Sequence, residues 1–571
     1  MAETLLSPGV LSLENDQSQV TQGPVTVGAA IIGPTVKGPV EIPTVVTSYS
    51  DYVNKFGSTF VSGGDVYSYF TSITAYNYFN NGGESLLVAR IVSGAYTSAT
   101  SSFVSGSTAG AVASGSTIVL ETLSEGAIMN STSPLISGSL TSGSSDNLRW
   151  EIVAPDTSSG TFGLLIRQGN DTTNSKVVLE TWTNLSLDPK SPNFVSRVIG
   201  DYTLNYNSTS NQIEISGSYP NASKYVRVKS AILTPDYLDN NGLPKAQFTG
   251  YVPLAQSGSF GSAVGSMETA NNNKYYESIT DTNSQGAVAA NYANMINLLS
   301  NQDDYRFNVL LTPGLVNNFA SHANSISNII TNTQNRGDNL FVLDLVGYGS
   351  SVTTVVGQAA SRDSSYAASY WPWCQIQDPS SGKNVWVPAS VLIAGVYAYN
   401  DKVAEPWFAP AGISRGGLGT VIRAEQKLSQ ANRDSLYQGK VNPIATFPGT
   451  GTVVYGNKTL QTKASALDRV NVRRLLISLK SYIGQVANTL VFEQNTVATR
   501  NQFLAQVNPY LESVQQRQGV YAFRVVMDES NNTPDVIDRN QLVGAIYLQP
   551  TKTAEFIYLN FNLTATGATF A

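Results

Sequence analysis

The fold that we expect for this chain follows from two short stretches, residues 305–315, YRFNVLLTPGL, and residues 339–347, NLFVLDLVG. Each stretch is a short apolar run, which is typical of a strand buried inside a sheet. Residues 316–333 between them have the pattern of a helix, and Gly337 follows shortly after. Strand, helix and strand in this order predict a βαβ unit, in which the two strands pair in parallel.

Further buried strands are predicted upstream of this unit. Residues 25–32, VTVGAAII, and a run around residues 42–46 predict two strands separated by a Gly-Pro turn. A helix follows, with Ser48 or Ser50 as its N-terminal cap. The run LLVARIV, residues 86–92, predicts another core strand.

The region between Arg90 and Arg149 contains no lysine or arginine and is rich in serine, glycine and threonine. Strand-like runs such as residues 117–120 favour an all-β surface insertion over a linker. Strands and turns are predicted to continue beyond Arg149 through residues 161–182.

The C-terminal region predicts two helices followed by two strands. The first helix begins after Asp468, and the second contains Pro509, which we expect to kink it. The strands, residues 521–527 and 542–548, are joined by a polar loop. One face of the second helix is apolar and comprises Phe503, Val507, Leu511 and Val514.

Residues 556–563, FIYLNFNL, alternate apolar and polar side chains, which predicts a strand with one buried face. This strand either folds back as a third strand of its own sheet or pairs with the sheet of another molecule. A sheet of two strands is marginally stable, and its open edges accept further strands. The residues expected to accept a strand are Phe523, Val525, Leu542 and Ile546.

Composition excludes several classes of protein. Charged residues make up 13% of the 571 residues, roughly half of the usual share, and the formal net charge is -6. No run of basic residues is long enough to follow a phosphate backbone, so direct nucleic-acid binding is not expected. The sequence shows neither a signal peptide nor a run of roughly 18 apolar residues, so we expect neither export nor membrane insertion. We expect assembly in a cytoplasm, and the single cysteine excludes an intramolecular disulfide.

Catalytic candidates are weak, and we expect a protein without enzymatic activity, metal or cofactor. His322 is the sole histidine, so one chain cannot form a Ser-His-Asp triad or a multi-histidine metal site. We expect His322 to be a surface residue on a helix, and Cys374 to be a buried, inert thiol. The acidic pairs at residues 303–304 and 528–529 fall in polar loops.

Two further patterns have a possible functional interpretation. Glycine-rich stretches at residues 381–384, 412–419 and 449–456 lack the phosphate-binding spacing and predict turns. A cluster of tryptophans is compatible with a sugar platform, but its apolar context favours a packed core. These tryptophans are Trp371, Trp373, Trp386 and Trp407.

Taken in order, many stretches of the chain resemble the contractile tail sheath proteins of long-tailed bacteriophages, to which pyocin and type VI secretion sheaths are related. The similarity extends from SPGV, residues 7–10, to the predicted closing strand, whereas residues 93–148 and much of 202–273 match no pattern. The other matching stretches are residues 27–57, 78–92, 184–200, 371–401, 407–419, 470–495 and 523–561.

The resemblance implies a structural subunit that polymerises as stacked hexameric rings around a tail tube. Contraction would drive the tube through the host envelope during genome delivery. The implied partners are further copies of the chain, the tail tube protein, and the baseplate and tail terminator proteins. The implied location is the virion, after assembly in the host bacterial cytoplasm. We also expect the helix that contains Phe503, or its neighbour, to face the tube.

The resemblance further implies that arms at both ends of the chain pair with C-terminal sheets of neighbouring subunits. The apolar arm residues are Val10, Leu11, Leu13, Ile557, Leu559, Phe561 and Leu563. Two other classes stay open: a tail-associated protein that binds or hydrolyses surface glycans, and a non-contractile β-rich adhesin or capsid-like protein.

The expected fold class is a mixed α/β, multidomain α+β protein with a discontinuous sheath core, β-rich surface insertions and a small C-terminal α/β assembly domain with terminal arms. The predicted segments are an N-terminal arm (1–22), a first core segment (23–92), a Ser/Gly/Thr-rich β insertion (93–148), a β-rich protruding region (149–303), a second core segment (304–455), the C-terminal assembly domain (456–549) and a C-terminal arm (550–571).

Overall fold

The predicted βαβ unit is present and lies at the centre of the fold. The computed structural model describes residues 25–62, 65–103, 117–131, 143–266 and 274–558. Strands Tyr305–Val316 and Leu340–Asp344 pair in parallel. Helix Ala320–Arg336 connects them and ends at Gly337, which adopts the left-handed conformation (φ 70°) that favours glycine.

Strand Val25–Gly33 pairs in parallel with Tyr305–Val316 and so joins two distant regions of the chain in one sheet. Within the described residues this sheet has eight strands, and its two edge strands are antiparallel to their neighbours. The order of strands is Thr44–Val46, Leu86–Arg90, Val25–Gly33, Tyr305–Val316, Leu340–Asp344, Ala367–Trp371, Asn442–Phe447 and Gly451–Val454.

Helices cover both faces of the large sheet. Successive residues of strand Val25–Gly33 alternate between two core clusters, with Ile31 in one and Ile32 in the other. A parallel sheet buried in this way gives a three-layer α/β arrangement, which confirms the predicted mixed α/β fold. The helices that contribute to the two clusters are Tyr49–Phe56, Phe70–Asn80, Ala389–Val403 and Val470–Asn488 in one, and Tyr292–Leu298, Ala320–Arg336, Val352–Ala360 and Gln430–Gln438 in the other.

Smaller elements surround this core. Ser48 caps helix Tyr49–Phe56, because its hydroxyl accepts a hydrogen bond from the Asp51 backbone N–H at 3.1 Å; of the two predicted caps, Ser48 is the correct one. The remaining small elements are strand pairs Thr59–Ser62 with Asp65–Ser68 and Ile279–Thr280 with Asn283–Ser284, the sheet of Asn384–Val387, Cys374–Gln377 and Val421–Ala424, and helix Gly412–Arg415.

The described residues between 98 and 263 form a β-rich region with its own hydrophobic core, in which Trp150 and Phe162 are buried. The strands predicted around residues 117–120 and 161–182 lie in two sheets that pack around this core. The elements are Val178–Ser186, Thr161–Gln168, Leu148–Asp156 and Ser257–Ser259 in one sheet, Val226–Ala231, Ile118–Glu125 and Ser98–Phe103 in the other, hairpin Thr203–Asn207 with Gln212–Ser216, and helices Val195–Ile199 and Ala246–Thr249.

The C-terminal region contains the two predicted helices, Val470–Asn488 and Val497–Gln516. We call them the first and second C-terminal helices. Pro509 lies inside the second, which continues through it. Strands Val520–Val526 and Ala545–Pro550 follow, with helix Pro534–Asp538 between them.

Among the residues that the structure describes, no helix combines the length and the apolar character needed to cross a membrane.

Candidate assembly site

The last two strands, Val520–Val526 and Ala545–Pro550, form an antiparallel ribbon. Phe523 lies opposite Leu548, and their side chains pack against the core of the C-terminal helices. The opposite face points to solvent, where Tyr521 is 62% and Tyr547 is 63% exposed. The ribbon is therefore attached to its subunit by one face only.

Both edges of the ribbon are open in the described residues of the chain. The ribbon is a sheet of two strands there, so each strand has one side without a strand partner. Unpaired backbone N–H and C=O groups along such an edge are a template for an additional strand. The ribbon can therefore accept a strand on either side.

The predicted acceptor residues lie close together on the ribbon and its approach. Phe523, Val525 and Ile546 are half-buried on its inner face. Leu542 precedes the second strand, which begins at Ala545, and packs against the same core.

Of the predicted arm residues, Ile557 is described, and it is 77% exposed and outside any strand. The other arm residues lie outside the described ranges of the chain. These are Val10, Leu11, Leu13, Leu559, Phe561 and Leu563.

The apolar face of the second C-terminal helix is the face that packs inside the subunit. Its side chains contact Leu475 and Leu479 of the first C-terminal helix, together with Val520 of the ribbon, in one cluster. A contact between this helix and a tube would have to use another face. The buried residues are Phe503, Val507, Leu511 and Val514.

Residues 551–556 leave the ribbon and contact the central region of the chain. The Thr551 N–H donates to Gly519 O at 3.2 Å. Glu555 accepts from Arg469 through two hydrogen bonds, Nε to Oε1 at 2.7 Å and Nη2 to Oε2 at 3.0 Å. The Tyr437 hydroxyl also donates to Glu555. We call this segment the anchor segment.

The anchor segment also lines a cavity of about 1010 Å³ between the C-terminal helices and the central region. Trp407, Arg433 and Tyr455 contribute to its walls. Sequence reasoning missed Glu555 as a functional residue. The signal was present, because Glu555 is the sole acidic or basic side chain from residue 553 to residue 571.

Two neighbouring arginines attach the first C-terminal helix to the central core. Arg474 Nη2 donates to Asp401 Oδ2 at 2.5 Å, and its guanidinium lies 4.7 Å from the centre of the Tyr397 ring. Arg473 stacks on Tyr366 at 3.9 Å, and burial lowers the pKa of Arg473. These contacts hold the C-terminal region against the large sheet.

The prediction for His322 is wrong, because its side chain is buried rather than on the surface. The imidazole Nδ1 accepts a hydrogen bond from the Val316 N–H at 3.1 Å. Burial lowers the pKa of His322, while Asp281 raises it. An Nδ1 that accepts a hydrogen bond belongs to a neutral imidazole, and this bond satisfies the backbone N–H of the last residue of strand Tyr305–Val316.

The other chemical candidates contribute to packing or lie in solvent. Cys374 is buried, and burial raises the pKa of its thiol, as expected for an inert cysteine. Trp371, Trp373 and Trp407 are buried too, which leaves no sugar platform among them. The acidic pairs at residues 303–304 and 528–529 are exposed in loops. Within the described ranges, no three His, Cys, Asp or Glu side chains are grouped to hold a metal ion.

Two family models match the chain. One describes the central domain of the phage tail sheath protein and matches residues 262–460. The other describes the phage tail sheath C-terminal domain and matches residues 462–564. The second match contains the C-terminal helices, the ribbon and the anchor segment.

Individual relatives agree with these models. The tail sheath protein of Vibrio phage KVP40 is 42% identical over 234 residues, which cover 40% of this chain and 35% of that protein. The tail sheath protein of Enterobacteria phage T4 is 44% identical over 193 residues, 34% of this chain and 29% of that protein. The match thus spans about a third of the length of each relative.

A solved structure shows the same fold. The sheath tail protein of Listeria innocua superposes with a TM-score of 0.53, covering 92% of this chain and 96% of that chain, at 9% sequence identity.

Proposed function

The chain belongs to the phage tail sheath family, and we propose that it is the structural subunit of a contractile tail sheath. Copies would stack as hexameric rings around a tail tube in the virion, after assembly in the host cytoplasm. Contraction would drive the tube through the host envelope. Baseplate and tail terminator proteins would bind the two ends of the sheath.

The observation that carries this proposal is the ribbon, whose two edges have no strand partner among the described residues. A donated strand would satisfy the free backbone groups of one edge, and its alternating side chains would set the register. Residues 557–563 have that alternation. We propose that this C-terminal arm, and the N-terminal arm around Leu11, extend the ribbons of neighbouring subunits.

The energetics favour many links over one. Ordering about eight residues of backbone costs roughly 8–16 kcal/mol, and burying four apolar side chains gains roughly 6–12 kcal/mol. A single donated strand therefore nearly breaks even, and two subunits alone associate weakly. Several simultaneous links raise the effective concentration and stabilise a lattice. Subunits would accordingly stay soluble until a tube or a baseplate nucleates assembly.

Contraction would then be a rigid-body rotation of subunits, with the arms as hinges that keep them connected. The buried contacts of Arg473 and Arg474 support this view, since they tie the C-terminal region to the large sheet. We propose that the energy is stored as kinetic metastability during assembly, which requires no nucleotide. Residues 98–263, with a core of their own, would project from the sheath as its variable surface.

Deletion of residues 556–571 tests the proposal. The shortened subunit keeps the ribbon and Glu555, so we expect it to fold and stay soluble but to form no tubes. Electron microscopy of the full chain at the same concentration is the control and should show hollow, striated tubes of constant width. Normal tubes from the shortened subunit would show that the strand belongs to its own subunit.

A further inference from the structure

The carboxylate of Glu555, at the base of the C-terminal arm, accepts hydrogen bonds from several side chains of its own subunit. This carboxylate and the Arg469 guanidinium are paired by two hydrogen bonds, and the side chains of Glu555 and Arg469 are 18% and 26% exposed. The Tyr437 hydroxyl donates to the same carboxylate, and Thr553 Oγ1 donates to it at 3.3 Å. Charge-assisted, bidentate pairs of this kind are among the strongest side-chain hydrogen bonds.

The three principal groups come from three separate elements. Tyr437 is on helix Gln430–Gln438 of the central region. Arg469 is the residue directly before the first C-terminal helix, and Asp468 Oδ1 holds its Nη1 at 2.9 Å. Glu555 lies on the segment that leaves the ribbon. One carboxylate thus joins the central region, the start of a long helix and the base of the arm.

The last described residues of the chain, just after this site, are exposed. The Phe556 ring meets the Tyr437 ring edge to face, with 6.4 Å between their centres. Ile557 and Tyr558 are then 77% and 88% exposed. Within two residues the chain therefore passes from a segment bound by hydrogen bonds to one whose side chains are exposed to solvent.

We propose that Arg469, Tyr437 and Glu555 form an anchor that fixes where the C-terminal arm leaves its own subunit. The inference deepens the proposed function, because a donated strand pulls on its donor when the sheath contracts. Without the anchor, this force would separate strand Ala545–Pro550 from its partner strand Val520–Val526. With it, the load passes through the Arg469–Glu555 pair into the first C-terminal helix and, through Arg473 and Arg474, into the large sheet.

Trypsin cleavage of the unassembled, full-length subunit tests whether the anchor holds the segment. Lys552 is an exposed cleavage site three residues before Glu555. In Glu555→Gln the segment should detach more often, and cleavage after Lys552 should accelerate about tenfold, the ratio expected for a lost charge-assisted hydrogen bond. Tyr437→Phe should accelerate it less.

The matched control is Asp535→Asn, which breaks the exposed pair between Asp535 and Arg539. It should leave the cleavage rate unchanged, because exposed pairs of this kind contribute little. Equal cleavage rates in Glu555→Gln and the unsubstituted chain would overturn the anchor.

Assembled protein tests whether the anchor bears load. Glu555→Gln keeps the arm and the ribbon, so it should still form tubes, but the tubes should come apart at a lower guanidinium concentration than those of Asp535→Asn. Equal resistance would overturn the load-bearing role. Failure of the proposed function is a separate result, because it would appear as normal tubes from the subunit that lacks residues 556–571.

Discussion

Asp344 is a buried carboxylate that makes the stability of the protein depend on pH. Its Oδ1 accepts from the Ser390 N–H at 3.1 Å and its Oδ2 from the Ser390 hydroxyl at 2.5 Å. Burial raises the pKa of Asp344 to about 7, against the lowering effect of these bonds. An unfolded aspartate has a pKa of about 3.9. The folded state therefore binds a proton at Asp344 more tightly than the unfolded state does. Protonation of Asp344 thus stabilises the folded state, and this contribution to the free energy of unfolding is complete below about pH 4 and lost as the pH rises through about 7.

We predict that Asp344→Asn removes this contribution to the pH dependence, because asparagine is neutral and still accepts from the Ser390 N–H. The free energy of unfolding of the unsubstituted chain should fall by up to about 4 kcal/mol from about pH 4 to about pH 8 through this group. Thermal unfolding at several pH values measures the difference. Asp303→Asn, at an exposed position, is the control. Identical pH profiles for the chain and Asp344→Asn would contradict the prediction.

Single residues were predictable where local chemistry decides their role. A cap at Ser48 or Ser50 was predictable because a hydroxyl directly before a helix accepts a hydrogen bond from an unpaired backbone N–H of the first turn, as Ser48 does. His322 was not, because its burial depends on the Val316 N–H at the end of a neighbouring strand. Glu555 was missed because its partners Arg469 and Tyr437 lie 86 and 118 residues away in sequence.

At the scale of elements, the apolar face of the second C-terminal helix is expected to contribute stability rather than contacts between proteins. We predict that Leu511→Ala lowers the free energy of unfolding by about 2–5 kcal/mol, because Leu511 is fully buried and its truncation leaves a cavity. Thermal unfolding of the unassembled subunit measures this. Gln506→Ala, on the exposed face of the same helix, should change stability by less than about 0.5 kcal/mol.

The opposite result, unchanged stability with lost tube formation, would show that the apolar face contacts another protein. If Leu511→Ala unfolds like the unsubstituted chain and loses only its ability to form tubes, the face contacts another protein. A helical stripe in a sequence shows that one face is buried but not what buries it. The same limit applies to strands: periodicity indicates Val25–Gly33, but not that it lies beside Tyr305–Val316.

At the scale of the whole molecule, the proposed strand donor and the proposed acceptor lie on one chain. Among the described residues the ribbon offers open edges, and the proposed anchor would direct the C-terminal arm away from its own subunit. A contact between such unlike surfaces gives a closed ring where its rotation closes and an open helical array where it does not. The sequence alone left the destination of the arm open, because alternation in residues 556–563 fits either sheet.

The difference between the proposed donor and acceptor predicts that a subunit without residues 556–571 inhibits assembly of the full-length chain. Such a subunit still accepts a strand on its ribbon but cannot donate the C-terminal strand, so each one that joins a growing tube removes a link at its position. Addition of roughly one shortened subunit to ten full-length ones should shorten the tubes seen by electron microscopy, since a lattice multiplies the loss of each link. The same amount of Asp535→Asn should leave their length unchanged. If the closing strand instead completes its own ribbon, the shortened subunit keeps every contact between subunits, and the tubes stay at full length.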